Sequence, residues 1–455
     1  MLLQYESQLK NMRIVADFHI HSKYSRATSE QMNIDEIIRY APVKGLNLVG
    51  TGDFTHSQWL KELKQNLLKD EEIRLYKPLK SPNSQLKFMV TGEVATIFSY
   101  EGKMKKIHHL IFTPCFETAE QITDRLSHYG NLSVDGRPTL DMSAAALVEE
   151  IMEVSKENVV IPAHIWTPWF SLFGDLNGFD RIEDCYQDST KYIFALETGL
   201  SSDPPMNWRL SALDKFTLVS NSDSHSSWPW RIGREANVFE LEKFTYDIVV
   251  DAIRSKDPKR FLFTIETYPE YGKYHWTGHR NCKISMSSEE VKKVGIFCPV
   301  CRKKLTKGVE QRVDELADRP QGYEPEGVPN FFRLLPLSEI IQAVLNASYP
   351  SAQKVWSVYN KLVSRFGNEY SVLLDASFSE LVKTVDLQIA DAILKVREEK
   401  LKVTPGYDGV YGKIEIPNAK ENEEGITQNN QSVSGQKELA EKREKLKQKR
   451  LADFI

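Results

Sequence analysis

Short apolar runs recur along residues 14–265, and several of them end in polar or ionisable residues. The runs are IVADFHIH (14–21), LNLVGTGDF (46–54), LKFMVTGE (86–93), KIHHLIF (106–112), VVIPAH (159–164), YIFALETG (192–199) and TLVSNSDSH (217–225). Between them lie stretches of helical periodicity, such as residues 34–45 and 143–157. Strands that alternate with helices predict an α/β fold with a parallel sheet, and about seven strands over roughly 250 residues favour a barrel.

The remainder of the chain differs from this alternating part. Residues 271–312 contain ten Lys or Arg and three Asp or Glu, a net charge of +7 (ten minus three). Residues 418–435 are rich in Asn, Glu, Gln, Ser and Gly, as in a flexible linker. We therefore predict four parts: an α/β barrel domain (1–268), a basic module (269–312), a mostly helical region whose clearest helix is 331–346 (313–416), and a flexible linker with a charged tail (417–455).

Composition and charge restrict the class of protein. Hydrophobic residues make up 41% and charged residues 27% of the 455 residues, and the formal net charge is −4, which argues against a generally basic nucleic-acid coat. No apolar run approaches the roughly 18 residues of a membrane span, and the N-terminus lacks the pattern of a secretory signal. Five cysteines are an odd number for a disulfide framework. We expect a soluble cytoplasmic protein with reduced cysteines and no membrane contact.

Ionisable residues cluster where the predicted strands end. Asp17, His19 and His21 alternate at one strand end, so their side chains point to the same face. Asp223 and His225 repeat this spacing later in the chain. Other predicted strands or strand ends carry Asp53, Glu93, His108, His109 and His164. The carboxyl ends of barrel strands meet at one face, and imidazole and carboxylate groups bind Zn²⁺, Mn²⁺ and Fe²⁺. Any one of these histidines could be a satisfied core residue, but the set predicts a metal site.

A second group of metal-binding residue types lies in the basic module. His279, Cys282, Cys298 and Cys301 have the spacing H-x2-C-x15-C-x2-C, which is typical of a structural zinc site with one His in place of a Cys. His275 is an alternative to His279, and a pair of unligated cysteines is the alternative to a site. The positive charge of the module suggests that it lies along a phosphate backbone, although a solvated basic face has the same composition.

Aromatic residues follow the predicted ligand His164 in the segment HIWTPWFSLFG (164–174). Trp166 and Phe170, together with Trp169 and Phe173, could stack on a nucleic-acid base or open a duplex beside the metal site. The alternative is that these side chains pack the loop in which they lie.

Six motifs in this order resemble those of the polymerase and histidinol phosphatase (PHP) family: DFHIHS, TGDFTH, TGE, HHL, PAHIW and SDSH. The resemblance implies a distorted seven-stranded barrel that holds two or three divalent ions (Zn²⁺, Mn²⁺ or Mg²⁺) and hydrolyses phosphoesters. By motif, one ion would be bound by His19, His21, Glu93 and Asp223; a second by Glu93, His109 and His164; and a third by Asp53 and His225. His108 is the alternative to His109, because only one of two neighbouring residues in a strand faces inward. Phe54 stands where many members have a histidine, which His56 could replace. Asp223 and Glu93 are the implied catalytic residues, with Asp17 orienting a ligand.

Further segments resemble the endonuclease Q family within the PHP group. They are SKYSRATS (22–29), PWFSLFG (168–174), SDSHSSWPWRIGREAN (222–237), the GHRNC and CPVC pair, and YDGVYG (407–412). This resemblance covers most of residues 14–416 and implies a DNA repair endonuclease that cleaves 5′ to uracil, hypoxanthine, xanthine and abasic sites, leaving 3′-hydroxyl and 5′-phosphate ends. It implies a structural Zn²⁺ in the basic module and a nucleoid-associated protein. The residues we expect to contact DNA are Arg26, Trp166, Phe170, Trp230 and Arg231.

The C-terminal tail carries a short motif of its own. Gln448, Leu451 and Phe454 are spaced three residues apart, which on a helical turn forms one small anchor. This pattern looks like the peptide by which repair proteins bind the sliding clamp, and an ordinary amphipathic helix end is the alternative.

Two other functions compete with that of an endonuclease. A PHP-type phosphomonoesterase would hydrolyse a small phosphate ester, but it leaves the zinc module without a purpose. A non-catalytic DNA-binding scaffold would need no metal at the barrel mouth, which the nearly complete set of ligands argues against.

Overall fold

A computed structural model describes residues 11–417 of the chain, so the predicted clamp-binding residues Gln448, Leu451 and Phe454 lie outside the described residues. The strands within this range are β1 (Met12–Asp17), β2 (Leu48–Gly50), β3 (Leu67–Asp70), β4 (Leu75–Pro78), β5 (Lys87–Tyr100), β6 (Lys103–Thr113), β7 (Thr139–Leu140), β8 (Val159–Pro162), β9 (Ala195–Glu197), β10 (Thr217–Val219), β11 (Ala236–Leu241), β12 (Phe261–Glu266), β13 (Thr277–His279), β14 (Ile284–Met286), β15 (Asn330–Arg333), β16 (Lys402–Thr404) and β17 (Lys413–Glu415).

Helices alternate with these strands in the first part of the chain and dominate the last part. The α-helices are α1 (Ile34–Lys44), α2 (Ser57–Asn66), α3 (Phe116–Leu126), α4 (Ala144–Val154), α5 (Ile182–Tyr186), α6 (Pro204–Asn207), α7 (Tyr246–Ser255), α8 (Ser288–Val294), α9 (Val309–Leu316), α10 (Leu337–Val344), α11 (Gln353–Phe366), α12 (Phe378–Leu381) and α13 (Leu387–Arg397). No α-helix among the described residues is long and apolar enough to cross a membrane.

The fold is α/β, as predicted, but its large sheet is mixed rather than parallel. Eleven strands join it, and its main path runs β15-β12-β11-β1-β2-β5-β4-β3. β1, β2 and β5 are parallel neighbours, whereas β11 lies antiparallel to β1 and β6 lies antiparallel to β5. The seven-stranded barrel stays a prediction.

The prediction of a parallel sheet was wrong because β5 returns directly into β6. Glu101 and Gly102 join the two strands with φ angles of 48° and 74°, the left-handed pair that a two-residue hairpin requires. Eleven residue pairs from Val90↔Thr113 to Tyr100↔Lys103 then match across the hairpin. No helix can intervene in so short a connection, so the two strands must be antiparallel.

The core lies between the sheet and its helices. Ile14, Ala16 and Phe18 from the first strand segment pack with Val249 and Ile253 from α7, and all five are buried. Full burial of a large aliphatic or aromatic side chain contributes about 1.5–3 kcal/mol. This packing fixes the strand whose end carries the first predicted ligands.

The predicted helix at residues 331–346 is divided by Pro336. Asn330–Arg333 is strand β15, which pairs in parallel with β12, and helix α10 begins only at Leu337. Proline at the helix boundary explains the division, since the residue before a proline avoids the helical conformation.

A buried ion pair connects the helical region to the rest of the molecule. Lys44 Nζ at the end of α1 lies 2.7 Å from Glu369 Oε1, and neither side chain is exposed by more than 2%. Glu369 also accepts hydrogen bonds from the Leu337 N–H at 2.9 Å and the Tyr359 hydroxyl at 2.8 Å. The described residues from 11 through Glu415 form one compact unit, and the predicted domain borders stay predictions.

Candidate metal centres

Three of the predicted metal ligands adopt an uncommon backbone conformation. Asp53, His164 and Asp223 have φ angles of 48°, 31° and 47°, in the left-handed region that non-glycine residues seldom occupy. Each follows a strand, β2, β8 or β10. Strained residues of this kind cluster at functional sites.

A first donor group brings together His19, His21, Glu93 and Asp223, whose ligand atoms lie within 4.8 Å of one another. His21 Nε2 is 3.0 Å from Asp223 Oδ1 and 3.3 Å from Glu93 Oε2. His19 Nε2 is fully buried and has no hydrogen-bond partner, although it lies 3.5 Å from Glu93 and 3.6 Å from Asp223. A buried nitrogen without a partner, facing two carboxylates, fits a divalent cation between them.

A second donor group consists of Glu93, His108 and His164. Glu93 Oε1 lies 2.7 Å from His108 Nδ1 and 3.1 Å from His164 Nε2. Glu93 therefore directs one oxygen to each donor group, which is the arrangement that a carboxylate shared between two ions needs.

The structure corrects the predicted choice of His109 over its neighbour. His109 Nε2 contacts the Thr96 hydroxyl at 2.9 Å, and its Nδ1 contacts the Tyr186 hydroxyl at 2.9 Å. Both ring nitrogens are thus occupied on the far face of β6, where burial lowers the pKa of His109 to about 3. Side chains alternate along a strand, so the adjacent His108 faces the donor groups.

Asp53 lies behind the first donor group and not within it. Its Oδ1 is 3.0 Å from His21 Nδ1, and its Oδ2 accepts hydrogen bonds from Ser22 and Ser25. Both carboxylate oxygens are occupied by these contacts, so the prediction of Asp53 as a direct metal ligand is corrected. Asp53 instead orients the His21 ring. Burial opposes ionisation of Asp53, but the His21 ring lowers its pKa overall.

The other residues predicted for a third ion stand outside both donor groups. The His225 ring stacks on His21 at 4.4 Å, with Nε2 3.6 Å from Asp223 and Nδ1 2.6 Å from the Thr28 hydroxyl. His56 stacks on Tyr24 at 4.4 Å. Around Glu93 the described residues therefore assemble two donor groups, and a third ion at this site stays a prediction.

Asp17 supports the loop that carries Asp223. Its carboxylate accepts hydrogen bonds from the N–H and hydroxyl of Ser222 at 3.1 and 2.6 Å and from the Gly233 N–H at 2.8 Å. Burial raises its pKa to about 6, although these hydrogen bonds oppose the shift. Asp17 is not in either donor group, so the prediction that it orients a ligand stays a prediction.

Sequence reasoning missed Glu197 and Arg137. Glu197 ends β9, accepts a hydrogen bond from the His164 N–H at 2.8 Å, and lies 3.0 Å from His19 Nδ1. Its position at the end of the apolar run YIFAL was a usable signal, because it is a further acidic strand end. Arg137 Nη1 lies 3.3 Å from Glu93 Oε2, and nothing in the surrounding GRP sequence indicates this contact.

Opposed charges dominate the electrostatics of the site. Burial alone would lower the pKa of His19, but the carboxylates of Glu197, Glu93 and Asp223 raise it well above its ordinary value. Burial alone would raise the pKa of Glu93, but His108 and Arg137 hold it well below its usual range. Glu93 is therefore ionised at neutral pH, as a carboxylate that binds a metal must be.

The predicted zinc ligands also converge. The ligand atoms of His279, Cys282, Cys298 and Cys301 lie within 4.8 Å of one another, and His279 Nδ1 is 3.3 Å from Cys301 Sγ. His275 is buried and is not in this group. Burial opposes ionisation of the Cys298 thiol, yet the Cys301 N–H and His279 lower its pKa to about 6. Three sulfurs and one imidazole suit a tetrahedral Zn²⁺ site.

Trp166, one of the predicted DNA-contact residues, is buried in the core. It is 1% exposed, and its Nε1 donates to Asn207 Oδ1 at 2.7 Å. Its ring packs on Phe173 at 4.9 Å, so the packing alternative holds and the prediction of DNA contact is wrong.

The other predicted DNA-contact residues are accessible. The Phe170 ring lies 4.9 Å from that of His108, beside the second donor group. Trp230 is half-buried and stacks on Trp228 at 4.8 Å, while Arg26 and Arg231 are exposed. Their contact with DNA stays a prediction.

Comparisons with known proteins place this arrangement in a family. A lesion-specific endonuclease from Pyrococcus furiosus, PfuEndoQ, is 32% identical and covers 92% of this chain and 100% of its own, with a TM-score of 0.80. An endonuclease Q in complex with a 27-mer duplex substrate, with an abasic lesion at the active site, is also 32% identical and covers 90% and 97%, with a TM-score of 0.78. The chain belongs to the endonuclease Q family, whose characterised members are endodeoxyribonucleases.

Two further matches concern an archaeal protein. The uncharacterised protein MJ0043 of Methanocaldococcus jannaschii is 33% identical over 254 residues, which cover 55% of this chain and 31% of that protein. The chain thus spans about a third of the length of MJ0043. The family model of the MJ0043 C-terminal domain matches residues 336–400, the region of α10 to α13.

Proposed function

We propose that this protein is a metal-dependent DNA repair endonuclease that cleaves 5′ to deaminated bases (uracil, hypoxanthine and xanthine) and abasic sites. The single observation that carries the proposal is the convergence of two donor groups on Glu93 in a chain of the endonuclease Q family. A relative bound to an abasic duplex supports damaged DNA as the substrate.

The donor groups have distinct tasks in this proposal. His19, His21 and Asp223 would hold one divalent ion, His108 and His164 a second, and Glu93 would bind both. Two bound ions would polarise the phosphoryl group and activate water. Asp53 and Glu197 fix the rings of His21 and His19 through their Nδ1 atoms, which leaves each Nε2 directed into the site.

The reaction is the hydrolysis of one phosphodiester bond. The oxygen of water bonds to phosphorus while the P–O3′ bond breaks. One proton of the water goes to the departing 3′ oxygen and the other to solvent, so the ends are a 3′-hydroxyl and a 5′-phosphate. In this proposal Phe170 would stack on an extruded base or its neighbour, which its ring contact with His108 supports.

An exposed basic segment of the zinc module, residues 292–304, favours DNA rather than a small phosphate ester as the substrate. In residues 292–304 every residue except Cys298 is exposed, and the segment has five Lys or Arg and no acidic residue. Such a surface suits a phosphate backbone, and a small substrate does not require it.

The proposal is tested with labelled duplexes that carry uracil, hypoxanthine, xanthine, an abasic site or no lesion. We expect nicks 5′ to each lesion in the presence of Mg²⁺ or Mn²⁺, and no nicks with chelator or without a lesion. Asp223→Ala should cleave at least about 10³-fold more slowly while binding lesion DNA nearly as tightly, since a ligand is lost but the DNA surface remains.

Two results would contradict the proposal. The first is turnover of small phosphomonoesters by a wild-type protein that leaves every lesion duplex intact. The second is nicking by Asp223→Ala at the wild-type rate in metal-repleted buffer.

A further inference from the structure

Arg137 is a cation at the site that the proposed metal ligands do not account for. Its Nη1 lies 3.3 Å from Glu93 Oε2, and 26% of its side chain is exposed. Among the described residues it is the one Lys or Arg within ion-pair distance of Glu93 or Asp223. Within the described residues, the Arg137 guanidinium donates one hydrogen bond to a side chain, and the acceptor is Glu93. A guanidinium has five N–H donors, so several remain for a further partner at the open side of the site.

The chain on both sides of Arg137 is fixed against the site. Gly136 packs so closely on the residues behind the first donor group that an added Cβ would lie 2.3 Å from Asp53 Oδ2. On the other side, the Pro138 carbonyl accepts a hydrogen bond at 2.9 Å from the N–H of Ala95, two residues beyond the shared glutamate in β5. The two contacts fix the backbone on either side of Arg137 next to the donor groups. An ordinary surface ion pair between an arginine and a carboxylate does not require such packing of the neighbouring backbone.

We infer that Arg137 binds a non-bridging oxygen of the phosphodiester that is cleaved and stabilises the negative charge that develops on it. This inference rests on the proposed function and adds a residue that touches the substrate. Arginine presents paired N–H donors that match phosphate oxygens, and such a contact is strong where water is largely excluded. Glu93 holds the guanidinium in place before the substrate arrives, so little reorganisation is needed during the reaction.

The test compares Arg137→Ala and Arg137→Lys with wild type on an abasic duplex under single-turnover conditions. We expect Arg137→Ala to cleave about 10²–10³-fold more slowly, which is the usual loss for one transition-state donor. Lysine keeps the charge but not the paired donors, so Arg137→Lys should fall between the two. Arg125→Ala is the matched control, because that guanidinium pairs with Glu150 and Glu153 on the neighbouring helix.

A binding measurement separates contact with the phosphate from support of Glu93. A duplex with a neutral methylphosphonate at the cleavage position, measured with Ca²⁺ in place of the active ion, should bind wild type more weakly than the natural duplex. For Arg137→Ala the difference in affinity between the two duplexes should be smaller than for wild type, because the bound ions still contact the phosphate charge but the arginine no longer does. An equal difference for wild type and Arg137→Ala would mean that the arginine does not contact this phosphate.

Each other result decides against the inference. If Arg137→Ala cleaves like wild type, or if its loss of rate is matched by a loss of bound metal, the residue does not act on the phosphate. If wild type fails to cleave any lesion duplex, the proposed function itself fails, and this inference fails with it.

Discussion

At the scale of single residues, Glu93 connects the two donor groups. Its Oε1 faces His108 and His164, and its Oε2 faces His19 and His21. The sequence predicted His19, His21, Glu93 and His164 as ligands because each lies in or after a strand, but it preferred His109 to His108. That choice depends on which face of β6 is turned to the site, and an apolar run with two adjacent histidines has no alternation that shows it.

Glu197 should tune metal affinity without binding the metal. It fixes the His19 ring and the backbone of His164, one residue from each donor group. Glu197→Gln keeps the size but loses the charge, so we expect divalent-ion affinity to fall about 10–100-fold. Titration of the metal-free protein by calorimetry measures this, with the exposed Glu72→Gln as control. Unchanged affinity would show that the His19 contact is structural only.

A buried carboxylate pair that shares contact with Ser220 should make stability depend on pH. Glu235 and Glu266 both contact the Ser220 hydroxyl, at 3.1 and 3.0 Å, and are fully buried. Burial raises the pKa of Glu235 to about 7, from 4.5 in an exposed chain. Because the pKa of Glu235 is higher in the folded than in the unfolded protein, the folded state binds its proton more tightly. The stability that this proton contributes is complete below about pH 4.5 and is lost as the pH rises to about 7.

Glu235→Gln is therefore expected to stabilise the protein selectively at higher pH. The amide stays neutral, so the free energy of unfolding should rise relative to wild type by on the order of 2 kcal/mol at pH 8 and change little at pH 4.5. Urea unfolding at the two pH values, again with Glu72→Gln as control, measures the difference. An equal effect at both values would exclude a titrating pair.

At the scale of elements, the zinc module has too small a core to fold without its metal. Its apolar cluster contains only Met286, Val291, Cys298 and Leu305 as buried members. Cys298→Ser should lower the zinc content, abolish amide-exchange protection in residues 275–308, and reduce both DNA affinity and its salt dependence. Cys115→Ser, at a cysteine outside the module, is the matched control. Unchanged salt-dependent binding by Cys298→Ser would contradict a role of the module in DNA contact.

The elements were predictable where local pattern decides them. The zinc spacing and the strand ends required no tertiary information. The four predicted zinc ligands converge, and so do five of the eight predicted barrel ligands, whereas His109, Asp53 and His225 lie outside the donor groups. The antiparallel β6 and the division of the helix at Pro336 escaped prediction, because a two-residue hairpin and a helix boundary depend on backbone conformation rather than on apolar periodicity. Trp166 was misassigned because an aromatic beside a ligand has the same sequence whether it faces solvent or the core.

At the scale of the whole molecule, the site depends on contacts between distant parts of the chain. His21 and Asp223 are separated by 202 residues, and Lys44 and Glu369 by 325. Single-sequence reasoning placed the first pair together through the shared strand-end rule. The pairing of Lys44 with Glu369 could not be predicted in this way, because a buried lysine and its partner have no local sequence pattern.

The central claim is that the two donor groups joined by Glu93 form one hydrolytic centre acting on DNA. The most direct measurement is single-turnover nicking of an abasic duplex by wild type and Glu93→Gln, each reconstituted with Mn²⁺, with DNA affinity measured in parallel. The account predicts that Glu93→Gln nicks at least about 10³-fold more slowly and binds DNA within about threefold of wild type. Nicking by Glu93→Gln at a rate close to that of wild type would contradict it.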